Sequence, residues 1–258
     1  MIIGMRSGSN IRPEARAVAA AFTTPPTAAR MYLINELVTG AIQSGAWALL
    51  DFLHVYAAAD TQAALINWKA PGTYNGTLVN APAFVADRGY TGDGATSYID
   101  TNYQPTGVSR NYQQNSASFG FWSRTAMGLV GNDMGARAGV FVMFAISRNI
   151  GDFANGRVNE AVSQNFGTVT DGSGFFAFDR PNSSVMRGYR NGSILSGGDV
   201  AQASSGLPGA GNLWVGAANG GTFSTRQFAA SFVGASLTAT QHAEFYTAMQ
   251  KYMTGVGA

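Results

Sequence analysis

The chain has 258 residues, of which 46 % are hydrophobic and 12 % charged, with 33 glycines, no cysteine and a formal net charge of +2. The charged share is about half the usual one and the apolar share is too high for a disordered chain, so a packed, turn-rich β domain is expected, alone with an appendage or as two smaller domains. The absence of cysteine excludes disulfides and thiolate metal sites, the scattered Arg residues with Lys69 and Lys251 form no run that tracks a phosphate backbone, and no stretch reaches the roughly 18 apolar residues of a membrane-spanning helix.

In chain order, residues 1–26 read as an extended anchoring arm. They are rich in small and polar residues, contain Pro13 and end at Pro25-Pro26; the apolar stretch 17–22 is short and mostly alanine, so no signal peptide is expected. Residues 15–22 can form a short helix, but with almost no apolar stripe the arm is expected to contact another chain. Residues 27–44 read as a helix, because Met31, Ile34, Leu37, Val38, Ala41 and Ile42 recur every three or four positions between a Thr27 cap and a Gly45 stop. A second short helix is predicted over 46–53, with Trp47, Leu50 and Leu53 inward, then an irregular piece holding His54, then a third helix over 61–67 capped by Asp60. Residues 27–70 thus form a helical bracket ahead of a β domain over 71–258.

From Thr77 onward the pattern is β. Strands are predicted over 77–79, 84–86, 97–100, 117–123, 140–147, 175–179, 184–190, 193–195, 212–217 and 226–236, a density of short strands that fits a sandwich or barrel. In 97–100 the alternation puts Tyr98 and Asp100 on one face, Ser97 and Ile99 on the other. Asp93-Gly94 and Asn191-Gly192 read as hairpin turns, since a type I′ turn needs positive φ at both central residues. The chain closes on a helix over 239–253 with a Thr238/Gln241 capping box and an apolar stripe of Phe245, Met249, Tyr252 and Met253.

One run, LINWKAPGTYNGTLVNAPAFVADRGYTGDGATSYIDT over 65–101, carries a resemblance. It is similar to the opening of the concanavalin A-like, laminin-G-like jelly roll of tailed-phage virion proteins, with their aromatic-Asn-Gly stretch, Asp-Arg-Gly-Tyr step and Gly-Asp-Gly turn. Further matching features, in order, are Gly45-Ala46-Trp47, Leu50-Asp51, Ala57-Ala58-Ala59-Asp60, Tyr98-Ile99-Asp100-Thr101 and the stretch 232–238 before the last helix. The resemblance covers most of 25–258. It implies a mainly β, jelly-roll sandwich with an N-terminal helical segment and a C-terminal helix, in a tail fibre, appendage or decoration subunit of a virion assembled in the host cytoplasm. It also implies other virion proteins as partners, met through residues 1–26 and the bracket, and a homo-oligomeric or multi-copy assembly. The alternative is a stand-alone lectin-like carbohydrate-binding module.

The chemistry-bearing residues favour binding over catalysis. Retaining glycosidases need two carboxyls about 5–5.5 Å apart. Of the glutamates Glu14, Glu36, Glu160 and Glu244, only Glu160 lies among the sandwich strands, and no paired-acid spacing appears. His54 and His242 sit alone, against a Ser-His-Asp triad or a transition-metal site. Asp93, Asp133, Asp152 and Asp171 lie in predicted loops without a calcium-ligand spacing. The expectation is therefore no enzyme, no cofactor, no metal and no nucleic-acid partner. Glycan recognition needs aromatic faces beside amides and carboxylates. The candidate residues are Asn132, Asp133 and Arg137 in a loop over 128–139, and Asn149 and Asp152 after the next strand, with Asn155, Asn219 and Phe223 in support and host polysaccharide as the ligand. Trp122 and Trp214 read as core.

Overall fold

The structure is a computed structural model that describes residues 11–108, 110–127, 131–137, 142–218 and 221–257. It opens with helices α1 (Pro13–Ala20), α2 (Ala28–Gln43) and α3 (Ala46–Leu49), strand β1 (Leu50–Val55) and the single turn α4 (Thr61–Ala64). Four short strands follow: β2 (Thr77–Val79), β3 (Ala83–Val85), β4 (Gly89–Thr91) and β5 (Tyr98–Asp100). The middle of the chain holds β6 (Ala117–Ser123), β7 (Met134–Arg137), β8 (Val142–Ile146), β9 (Phe153–Glu160), β10 (Gln164–Thr168), β11 (Gly174–Arg180), β12 (Val185–Arg190) and β13 (Ser193–Ala201). The last elements are β14 (Trp214–Val215), β15 (Ala217–Ala218), β16 (Thr222–Phe223), β17 (Gln227–Gly234) and α5 (Ala239–Gly255).

Among the described residues the strands form an eight-stranded sheet ordered β13-β12-β11-β6-β17-β4-β3, with β1 also on β17, and a seven-stranded sheet ordered β10-β9-β8-β7-β14-β5-β2. All pairings are antiparallel, and β15 and β16 make a separate small hairpin. The chain is a mainly β sandwich of two antiparallel sheets with helices at both ends, as the sequence led us to expect.

Two hydrophobic cores give the molecule three layers. Between the sheets, Phe52, Phe119, Phe121, Phe176, Phe178 and Phe228 of the large sheet meet Ile99, Met134, Met143, Val158, Phe166 and Val215 of the smaller one. On the other side of the large sheet, Trp122, Phe175 and Phe232 pack under Val18 of α1, Leu37 and Val38 of α2, and Phe245 and Met249 of α5. The large sheet is thus covered on both faces, which is why every residue of β6 is buried. The smaller sheet packs on the core with one face, and on its other face the β15–β16 hairpin lies over β7.

The helix caps fall where the sequence placed them. Thr27 Oγ1 accepts from Arg30 N, Asp60 Oδ1 from Ala63 N, and Thr238 and Gln241 form the reciprocal capping box. Asn191 and Gly192, at φ 50° and 77°, turn β12 into β13 as a hairpin.

Four expectations need correction. The helix predicted over 46–53 ends at Leu49, and 50–55 is β1, paired with β17. Its strand is buried on both faces, so it lacks the alternation that would have marked it, and its apolar spacing mimics a helix. The bracket over 27–70 therefore contributes a strand to the sandwich. Asp93-Gly94 is not a hairpin turn: only Gly94 has positive φ, and β4 and β5 belong to different sheets. Asp93 Oδ1 instead accepts the amides of Ala95, Thr96 and Ser97, and these bonds hold its carboxyl below the usual range. Finally, the arm is not extended from residue 11 on. Ala15 and Val18 of α1 are buried against the domain's own helices, Arg12 N donates to Asn35 Oδ1, and Gln62 bonds Ala21 O and Thr23 N. Residues 1–10 of the expected arm lie outside the described residues.

Candidate functional site

Four of the five candidate residues lie at turns and strand ends of one end of the smaller sheet, and Arg137 lies at the opposite end of β7. Asp133 is fully buried. Its Oδ2 accepts the amide and hydroxyl of Ser147, both at 2.7 Å, and its Oδ1 accepts Ser224 Oγ at 2.9 Å and Arg226 Nη1 at 3.0 Å. Arg226 is equally buried and its Nη2 donates to Arg148 O. Asn132 is buried too, its Nδ2 donating to Thr222 Oγ1. Asn149 Oδ1 accepts the amides of Gly151 and Phe153 within its own turn. Asp152, at φ 60°, pairs with Arg148 at 2.7 Å. Asn132 and Asp133 are buried struts and not free loop side chains, whereas Asn149 and Asp152 cap their own turn and stay partly exposed: a short Asn or Asp side chain beside a strand end is used first by the backbone around it. Arg137 ends β7 opposite Val142. Residues 128–130 and 138–139 of the predicted loop, and Asn219, lie outside the described residues.

The open face of the smaller sheet holds a different constellation. Cross-strand register aligns Thr77, Asp100, Trp214, Gly135, Phe144 and Arg157 in one row across β2, β5, β14, β7, β8 and β9. Their strand neighbours Ile99, Val215, Met134, Met143, Ala145 and Val158 are buried between the sheets. Strict alternation therefore turns the row outward, and Asp100, Trp214, Phe144 and Arg157 are all half-buried there. Trp214 stacks on Tyr98, one ring pair 3.8 Å apart and 21° from parallel, with Phe223 of β16 on the far side of Tyr98 at 6.3 Å. Gly135 lies between the two aromatic strands because Ala218 of the β15–β16 hairpin sits over it: a Cβ there would meet Ala218 Cβ at 2.7 Å, and Ala218 is itself buried, so Trp214 and Phe144 are the half-exposed ends of an apolar strip that the hairpin crosses.

Polar groups flank the strip on both sides. Asp100 is held by Asn212 Nδ2, which donates to both carboxylate oxygens, and by the amide of Asn102. Partial burial and the Asp100 charge push the Tyr98 phenol up. At the other end Arg157 lies over the Phe144 ring at 5.5 Å, and Asn155 Nδ2 bridges Gln164 O and Asn165 Oδ1. Aromatic edges and faces beside amides, one carboxylate and one guanidinium suit a flat polar molecule with apolar ring faces. Among the described residues no group of three or more His, Asp or Glu is placed to hold a metal.

Of this row the sequence reading places only Asp100, on one face with Tyr98, and it assigns Trp214 to the core. The signal lay in Asn212-Leu213-Trp214-Val215, where Leu213 and Val215 are fully buried and the residues between face out.

The layers define a mainly β, antiparallel-sandwich class of fold with helices at both ends, and solved structures share that fold. Domain 4 of an extracellular GH43 arabinanase from Geobacillus stearothermophilus, solved with arabinotriose, matches at TM-score 0.54 and 13 % identity, over 76 % of this chain and 98 % of that domain. Trypanosoma rangeli sialidase matches at TM-score 0.55 and 11 % identity, over 85 % of this chain but 39 % of the enzyme. The botulinum neurotoxin serotype D binding domain matches at TM-score 0.53 and 10 % identity, over 79 % of this chain and 51 % of that one. No known family's sequence profile matches the chain, and no curated protein matches it in sequence.

Proposed function

We propose that the chain is a glycan-binding β-sandwich whose site is the outward row of the smaller sheet, and that it serves as a surface subunit of a tailed-phage particle. The observation that carries the first part is the row itself: Trp214 and Phe144 two strands apart, about 9.6 Å by strand spacing, on the sheet face that no helix covers. Sugar rings lay their apolar C–H faces on such aromatics, while hydroxyls donate to the Asp100 carboxylate and exchange bonds with the amides of Asn212 and Asn155. The arabinotriose bound to the arabinanase domain, which this chain matches over 98 % of that domain, gives the same reading support by analogy of fold. The virion context rests on the ordered motifs from 25 to 258 and on the weak, many-copy binding that such particles exploit through avidity.

The row binds without hydrolysing. It holds a single carboxylate, Asp100, already engaged by Asn212 and Asn102. The test is a glycan array probed with the full chain and with Trp214→Ala, with folding checked by circular dichroism. Array signals that fall at least ~10-fold in the variant, with no reducing-sugar release by the parent protein, support the reading; a folded Trp214→Ala protein that binds as the parent does overturns it. Gold-labelled antibody against the chain should decorate purified particles, and unlabelled particles would remove the virion part alone.

A further inference from the structure

Arg157, like Arg110 over Tyr74 and Tyr103, rests on an aromatic ring and not on a carboxylate. Arg30, Arg148, Arg187, Arg190 and Arg226 each hold an aspartate, at 2.6, 2.7, 3.2, 3.0 and 3.0 Å. Among the described residues no carboxylate lies within ion-pair distance of Arg157; its Nε donates to Ser163 Oγ at 3.0 Å and its guanidinium rests on Phe144. The carboxylate that feels its charge, Glu160, is buried, with Oε2 on the Val162 amide, and burial pushes its pKa up against the pull of Arg157 and Arg180. Arg157 is thus a half-exposed cation, fixed by a ring and a hydroxyl, at the edge of the aromatic strip.

A guanidinium ordered in advance has already lost much of the rotamer freedom that an ion pair costs, and its planar fork fits a carboxylate. We infer that the ligand is an acidic polysaccharide, whose sugar carboxylate pairs with Arg157 while its rings run over Phe144 toward Trp214. The inference rests on the row being the glycan site and names the ligand class for it. Register sets the polarity. Arg157 is one strand step from Phe144, about 4.8 Å, and Asp100 is four steps away, about 19 Å. A second anion at the Asp100 end would meet a like charge, so the preferred chain places its acidic sugar at β9 and a neutral one at β5.

The experiment uses the full chain on a matched array: oligosaccharides containing uronic or sialic acid, beside the same oligosaccharides with their carboxyls reduced to alcohols. The parent protein should favour the acidic members ~10-fold or more, with a preference that shrinks as salt is raised. In Arg157→Gln the acidic-to-reduced ratio should fall toward one, and Arg157→Lys should keep part of it; melting curves show whether each variant is folded. Should Arg157→Gln fail to fold, the parent's own ratio and its salt dependence decide. Equal binding to acidic and reduced members, or an unchanged ratio in folded Arg157→Gln, overturns the acidic class and leaves the glycan site standing. Binding to no glycan at all overturns the site and this inference together.

Discussion

Asp133 accepts four hydrogen bonds from three partners, Ser147, Ser224 and Arg226, and has no solvent exposure. Removing its carboxylate would strand the buried Arg226 guanidinium, and breaking a buried pair from one side costs about 3–5 kcal/mol. Asp133→Ala should therefore lower the melting temperature by many degrees, whereas an exposed loop side chain would change stability by less than about 0.5 kcal/mol. His54 supplies a pH test. It is buried on β1, with Nε2 2.8 Å from Tyr74 O, and burial pushes its pKa down to about 3 from an ordinary 6.5. The unfolded chain thus binds more protons between these values, so the His54 contribution is fully present above about pH 6.5 and is lost as pH falls toward 3. The linkage amounts to ~5 kcal/mol over that window, and His54→Gln should flatten denaturant midpoints measured between pH 6.5 and 4 relative to the parent. A slope unchanged by the substitution would mean other groups carry the acid sensitivity. Asp133 and His54 were seen in the sequence but not placed, because burial comes from contacts distant in the chain. Asn149 and Asp152 look alike as ligand groups and as turn caps, and only geometry separates the two uses.

Elements with strong local chemistry were legible. The Thr27, Asp60 and Thr238 caps, the Asn191-Gly192 turn and strand β6 each rest on residues within a few positions of one another. The α5 capping box allows a direct check: Thr238→Ala loses one side of it and should cost about 1 kcal/mol, read as a lower denaturant midpoint with unchanged slope. Elements fixed by distant partners were not legible. Strand β1 owes its form to β17, some 180 residues later. Strands β9 and β10, with sequences FANGRVNE and QNFGT, carry Gly and Asn that read as turn, and they are strands because β8 supplies a ladder. Missing β7 had the largest consequence, since it turned a strand into a supposed binding loop.

At the scale of the molecule, the helices decide where function can lie. They occupy the outer face of the large sheet through Val18, Leu37, Val38, Phe245 and Met249, and leave the outer face of the smaller sheet to the β15–β16 hairpin and solvent. The alternation that buries Ile99, Val215, Met143 and Val158 in the central core then turns Asp100, Trp214, Phe144 and Arg157 outward as a consequence of the same pleat. The sandwich class could be foreseen from strand density and turns, whereas the row could not, because it needs the register of six strands that are not consecutive in the chain. The most direct test of the glycan face is a titration of the isotope-labelled full chain with an array-positive oligosaccharide, followed by amide and indole chemical shifts. The perturbed signals should map to Tyr98, Asp100, Phe144, Arg157 and the Trp214 indole. Shifts confined to the turns at 131–133 and 149–152, or to the helical layer, with the row unmoved, would contradict the assignment of that face.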